Sequence, residues 1–232
     1  MEFDRRDHIG PCELRYTRHK THGPPHPPYG TRSKRGPRTV GAAPGFWTLC
    51  EGWMAHLAEV CPGGAPEIMA TAGFQVSKGN ARNAHRRGIA FDLDGLFWVG
   101  DEIAPVIALR ADDDARRYLA VEAGLRQFFG VVLNWWWNKH HKCHFHVSAK
   151  GVAGWTVPRR VDQKTLFVQL ALTKVLDRPV TLDAQWGPET RGAVEDVLME
   201  VGPGALDLAA PGAWEAFCRA VELVGWGTVE AG

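Results

Sequence analysis

Hydrophobic periodicity in this 232-residue chain changes character once, at residues 151–163. Before that stretch, runs with strand-like alternation are interleaved with runs of helical spacing; beyond it only helical spacing occurs. Phe46, Leu49, Cys50, Trp53, Leu57 and Val60 recur at the spacing of one helix face, so residues 46–60 are expected to form an amphipathic helix. Residues 67–76 and 88–100 are expected as strands around a polar loop, 112–129 as a helix, and 131–137 and 141–149 as a further strand pair. Three helical patterns follow, at 164–176, 188–202 and 211–225. The pattern predicts an α+β fold: a small antiparallel sheet with flanking helices, then a C-terminal three-helix bundle. The expected division is an extended, basic, Pro/Gly-rich arm over 1–44, a domain over 45–150, a linker over 151–163 and a helical module over 164–232.

Composition excludes several classes of function. With 45% hydrophobic and 23% charged residues the chain can bury a core of its own, and collagen-like, coiled-coil and disordered readings fail. Twenty-seven Lys and Arg balance 26 Asp and Glu, so no global field favours a polyanion and no specific nucleic-acid partner is expected. The basic residues of the arm are the one local exception, and binding through them would be strongly salt-sensitive. No apolar run approaches 18 residues, so no membrane span is expected. The first ten residues lack a signal-peptide pattern, which predicts synthesis in the cytoplasm, with release or delivery needed for any action at a cell wall. A monomer is expected. Cysteines 12, 50, 61, 143 and 218 form an odd set with no Cys-x-x-Cys pair, a pattern of buried thiols rather than of disulfides or a zinc finger.

Among ten histidines, His85, His140, His141, His144 and His146 stand out together with Asp92. His85 and Asp92 flank a Gly-containing turn into a strand and can converge on one point. His144-Phe145-His146 on another strand sends both imidazoles to one face, because strand side chains alternate. Two imidazoles and a carboxylate around zinc leave a fourth position for water, the arrangement of catalytic rather than structural sites.

Asn83-Ala84-His85-Arg86-Arg87-Gly88-Ile89-Ala90-Phe91-Asp92 resembles the SxHxxGxAxD signature of the D-Ala-D-Ala metallopeptidases. His141-Lys142-Cys143-His144-Phe145-His146 resembles the HxxHxH ending of the penicillin-insensitive murein endopeptidases and extensin-like domains, which belong with the former to the LAS group. The resemblance covers about residues 45–150 and implies a zinc peptidase acting on peptidoglycan, with His85, Asp92 and His146 as ligands. It departs from the pattern at Asn83, where Ser is usual, and at Gln75, where many members carry the Arg of Gly-Tyr-Arg; both are candidate substrate contacts. No Glu occupies the position of the general base used in the dipeptidase branch, so His144, with His141 second, is expected to take the proton of the attacking water. Arg82 is the candidate for stabilising the tetrahedral oxyanion.

Asp94 reads either as a partner orienting a ligand imidazole or, with Gly95, as turn chemistry. The run Trp135-Trp136-Trp137 reads as packing within a strand, with Trp136 the candidate to stack on a glycan. Farther on, residues 169–172 and 182–194 resemble the LQxxL…DGxWGPxTxxAV pattern of three-helix peptidoglycan-binding modules, with Ala184 where Gly is usual and Trp186 as the implied wall contact. Two classes of function follow: a zinc peptidase of peptidoglycan, such as a phage endolysin or a delivered effector, or a noncatalytic wall-binding protein whose zinc is closed off by Cys143 or His140.

Overall fold

The computed structural model describes residues 2–16, 38–76, 80, 82–98, 103, 106–151, 153–156, 158, 161–201 and 207–230. The chain begins with β1 (Asp4–Arg6), β2 (His8–Ile9) and β3 (Cys12–Tyr16). Cys12 and Leu14 alternate into the core while Glu13 and Arg15 pair on the other face. This corrects the expectation of an extended arm over 1–44, at least for residues 4–16 and 40–42. Strands of two to five residues are too short to show a period in the sequence. Residues 17–37, with Arg18, Lys20, Arg32, Lys34 and Arg35 of the expected basic arm, lie outside the described residues.

After β4 (Val40–Ala42), which pairs with β1, comes α1 (Pro44–Val60), begun by a proline whose missing N–H no helix needs in its first turn. Its buried face is Phe46, Trp47, Cys50, Trp53, Met54, Leu57 and Val60, close to the predicted one. Next in order are β5 (Ile68–Gly73), β6 (Ala90–Phe97), β7 (Val106–Ile107), α2 (Ala115–Phe128), β8 (Val131–Leu133) and β9 (Phe145–Ser148). Asp114 caps α2 by accepting from the Arg117 backbone N–H. The main sheet runs β2-β3-β5-β6-β9-β8, with β7 also on β6, and every pair except the parallel β3–β5 is antiparallel. The fold is thus mixed α and β around a largely antiparallel sheet.

Alternation along β6 decides which face does what. Phe91 points into the helices and meets Phe74, Trp53, Phe46 and Phe129 at ring-centroid distances of 5.2 to 6.0 Å. Asp92 points the opposite way, and this second face carries the candidate site.

Three further helices follow, α3 (Gln163–Lys174), α4 (Pro188–Val201) and α5 (Ala213–Gly225), but they do not stand apart as a separate bundle. α5 packs chiefly against α2, and α3 touches α2 and β8 as well as α4. At the α2–α5 crossing, a Cβ on Gly225 would lie 2.7 Å from the Arg116 carbonyl, so only glycine allows so close an approach. One hydrophobic cluster runs unbroken from Ile9 and Leu14 through α1 and α2 to Phe217 and Val221. Buried polar groups cross the same boundary. Arg126, on α2 and 1% exposed, donates to Glu122, to the Val132 carbonyl and to the side chain and carbonyl of Gln163. Glu222 on α5 accepts from His56 of α1 (2.7 Å) and Gln127 of α2 (3.2 Å). In the expected linker, Trp155 is wedged between Trp186 and Trp214 at 4.6 and 5.5 Å.

The turn carrying the wall-module pattern is built around Gln169, which is 1% exposed. Its amide nitrogen donates to Asp183 Oδ1, the Gln185 carbonyl and Thr190 Oγ1, and its oxygen accepts from the Ala184 N–H at 2.8 Å. This network holds Ala184 at φ 57°, the left-handed region that suits the glycine of the usual pattern. Gln169→Leu strands the buried Ala184 N–H and is expected to cost about 2–3 kcal/mol. For a chain of this size that lowers the unfolding midpoint by about 5–10 °C, readable by thermal denaturation; an unchanged midpoint would show the network to be dispensable.

Candidate metal centre

His85 sits in the turn between β5 and β6, positioned from three sides. Asn83 Oδ1 accepts from the backbone N–H groups of His85 (2.9 Å) and Arg86 (3.3 Å), shaping the turn as an Asx cap. Gly88 closes it at φ 65°, where an added Cβ would collide with Phe3 and with the Ala43 nitrogen at 2.9 Å. The His85 Nδ1–H donates to the Phe74 carbonyl at 2.7 Å, which fixes the tautomer and turns Nε2 outward.

Asp92 lies on β6 directly opposite His146 of β9. The His146 Nδ1 is 3.0 Å and the His85 Nε2 3.3 Å from Asp92 Oδ1, and the two imidazole nitrogens are 3.2 Å apart. Thr71 Oγ1 donates to the Asp92 carbonyl at 2.6 Å and accepts from the Gly73 N–H, tying the backbone of β6 to β5. His144 reaches the same carboxylate, its Nε2 3.7 Å from Oδ1, so the imidazoles of the His-Phe-His run share one face as the alternation predicts. Phe145 points to the other face, is 1% exposed and stacks on Tyr118 at 4.1 Å.

The donor set fits a metal ion. His85, Asp92 and His146 each offer one atom, all within 4.8 Å of one another, and among the described residues they are the group that does so. With Nδ1–H committed to Phe74, a neutral His85 aims a lone pair at a carboxylate oxygen and at a second imidazole nitrogen. Such acceptors are reconciled by a cation or by extra protons. Two imidazoles with one carboxylate is a zinc-type set, and it leaves coordination positions for water or substrate.

Electrostatics follow from the crowding. Burial works against the Asp92 charge, yet hydrogen bonds from His146 and His85 and the charges on His85 and His144 hold its carboxyl well below the usual range. Burial lowers the pKa of His85, but Asp92 and the Phe74 carbonyl outweigh it and leave it raised. Burial, with the neighbouring His144 and His146, pushes His141 down to about 4.

His141 belongs to the cluster, its ring centroid 5.4 Å from that of His144 and 6.1 Å from that of His146. It is held by Asn138, which accepts from its Nδ1 at 2.9 Å and caps the short 3-10 turn Lys139–His141. Sequence reasoning missed Asn138, although an Asn just ahead of a polar turn is a capping signal. His140 is exposed, and Cys143 Sγ lies 3.3 Å from His144 Nδ1 rather than in the triad. All five cysteines are free thiols, four of them buried.

Other candidates are placed differently from expectation. The oxygen of Asn83 is engaged in the His85 turn, while the residue itself is exposed. Arg82 is exposed, and its carbonyl accepts from Lys150 Nζ at 2.7 Å. Residues 135–137 form a turn, not a strand. There Trp136 packs edge-on to Tyr118 at 5.5 Å, against the ring that backs Phe145 and not among the imidazoles. Trp186 is half-buried against Trp155. Asp94 and Gly95 lie inside β6, so the turn expected there is absent, and Asp101 and Glu102 fall outside the described residues. Gln75 is half-buried beside Gly41. No family model, curated protein or solved structure matches the chain.

Proposed function

We propose that this chain is a zinc-dependent peptidase that hydrolyses a peptide bond of bacterial peptidoglycan. The observation that carries the reading is the meeting of His85, Asp92 and His146, drawn from two separated motifs, beside two further imidazoles. Zinc held by these three residues would supply an acidified water and polarise the scissile carbonyl. The chain's own residues do the rest. His85 is oriented by Phe74, and Asp92 is braced through its backbone by Thr71. His144 lies close enough to Asp92 Oδ1 to exchange a proton with a group bound at the triad, and His141 stands behind it.

His144→Ala is expected to keep one bound zinc per chain and to lower kcat by about 10²–10⁴-fold, the range of a general base. His141→Ala is expected to do less. Metal analysis with steady-state rates separates the two roles, and loss of zinc from His144→Ala would make His144 a ligand instead. The direct test of the function is digestion of purified peptidoglycan by the wild type, by His146→Ala and by chelated protein, with mass spectrometry of the fragments. Release by the wild type alone supports the reading and names the bond; zinc bound without release from several wall types sinks it.

A further inference from the structure

A basic pocket of about 170 Å³ takes its lining from both sheets, and none of His85, Asp92 and His146 belongs to it. Arg5 comes from β1, Gly41 from β4, Tyr16 and Gly73 from the ends of β3 and β5, and Arg38 and Gln75 from the adjoining chain. Arg5 stands opposite Gly41 in the β1–β4 ladder. A Cβ on Gly41 would lie 3.1 Å from Gln75 Oε1 and 4.0 Å from Arg5 Cγ, and one on Gly73 would meet the Tyr16 ring at 3.7 Å. The two glycines therefore leave open a space that side chains would fill, as glycines in strands do where another group approaches closely.

The charge in the pocket is unbalanced. Neighbouring arginines are committed, Arg6 to Asp4 and Glu51 and Arg15 to Glu13. The Arg5 and Arg38 side chains make no ion pair or hydrogen bond among the described residues, and no acid lines the pocket. Sequence alone shows that residues 17–37, between Tyr16 and Arg38, include Arg18, Lys20, Arg32, Lys34 and Arg35 but no Asp or Glu. The remaining polar groups of the lining, the Tyr16 and Thr39 hydroxyls and the Gln75 amide, can all donate. A carboxylate is satisfied by one guanidinium, through two parallel hydrogen bonds. Two guanidinium groups with further neutral donors suit a phosphate, which carries about −1.5 to −2 charges at pH 7 as a monoester and offers three strong acceptor oxygens.

We infer that this pocket is a phosphate-binding site, taking inorganic phosphate or the phosphate ester of a larger molecule, with Arg5 and Arg38 as its charged ligands. It stands apart from the peptidase reading, since no residue of the triad takes part and either can fail without the other.

The test is calorimetric titration of the metal-stripped, desalted full-length chain with inorganic phosphate, with glycerol 3-phosphate and with acetate at low ionic strength. Both phosphates are expected to saturate one site and to bind at least about tenfold more tightly than acetate, the scale of one added charge-assisted hydrogen bond. Tighter binding of glycerol 3-phosphate assigns the site to an ester, and equal or tighter binding of inorganic phosphate assigns it to the free anion. Arg5→Gln and Arg38→Gln are each expected to weaken phosphate about tenfold or more, whereas Arg110→Gln, at an exposed arginine outside the lining, is expected to change nothing. Arg5 and Arg38 are themselves exposed, so the variants are expected to fold, as thermal denaturation would verify. A measurement on the wild type needs no variant: phosphate is expected to shield Arg5 and Arg38, but not Arg110, from phenylglyoxal, read by peptide mass spectrometry. Acetate binding as tightly as phosphate, an unchanged affinity in both well-folded variants, or equal labelling of Arg5 and Arg38 with and without phosphate would overturn the inference.

Discussion

A chain ending at residue 150 is expected to be unfolded or molten, although it contains every residue of the candidate metal triad. Removal of α3 and α5 uncovers the faces of α2 and β8 that they bury. It also strips the two Gln163 bonds from buried Arg126 and the Glu222 partner from half-buried His56 and Gln127. Each large apolar side chain that loses its cover costs about 1.5–3 kcal/mol. Several such losses exceed the roughly 5–15 kcal/mol that holds a domain together. Circular dichroism and denaturant titration of the truncated chain would check this; a cooperative transition near that of the full protein would restore the two-domain division read from the sequence.

His146→Ala is expected to abolish the proposed hydrolysis while sparing the fold. Its imidazole is only partly buried and its loss opens no core cavity, so without metal the unfolding midpoint should stay within a few degrees of the wild type. The catalytic loss is large because an ion at the triad is worth several kcal/mol of transition-state stabilisation. At 1.36 kcal/mol per decade that is about 10³-fold or more. Zinc near 100 times its dissociation constant should stabilise the wild type by about 2.7 kcal/mol, raising its midpoint by about 5–10 °C, and should leave His146→Ala nearly unmoved. A full zinc-induced shift in the variant would mean that the ion sits elsewhere.

The faces presented by the candidate triad were legible in the sequence, because they follow from strand alternation and one turn, whereas the meeting of the two motifs across β6 and β9 was implied only by the resemblance. Alternation alone sends His144 and His146 to one side and Phe145 to the other, and the glycine at 88 marks the turn that swings His85 back toward Asp92. What escaped was nonlocal. The strands at 4–6, 8–9 and 12–16 gain their meaning from partners far along the chain, β4 and β5, which no local pattern reveals. The helical segments were found, but their independence was misjudged. In α3, nine consecutive residues from Lys164 to Leu172 are buried, the mark of a helix covered on all sides rather than one face of a small bundle. The turn-shaping bond of Asn83 was not foreseen either, although an Asn two residues ahead of a turn is a capping signal.

X-ray absorption at the zinc edge of the loaded full-length protein tests the central claim most directly. The account predicts a shell of nitrogen and oxygen ligands at about 2.0–2.2 Å, two of them imidazoles, and no sulfur. A sulfur scatterer at about 2.3 Å would place Cys143 on the ion, close the site and contradict a catalytic centre.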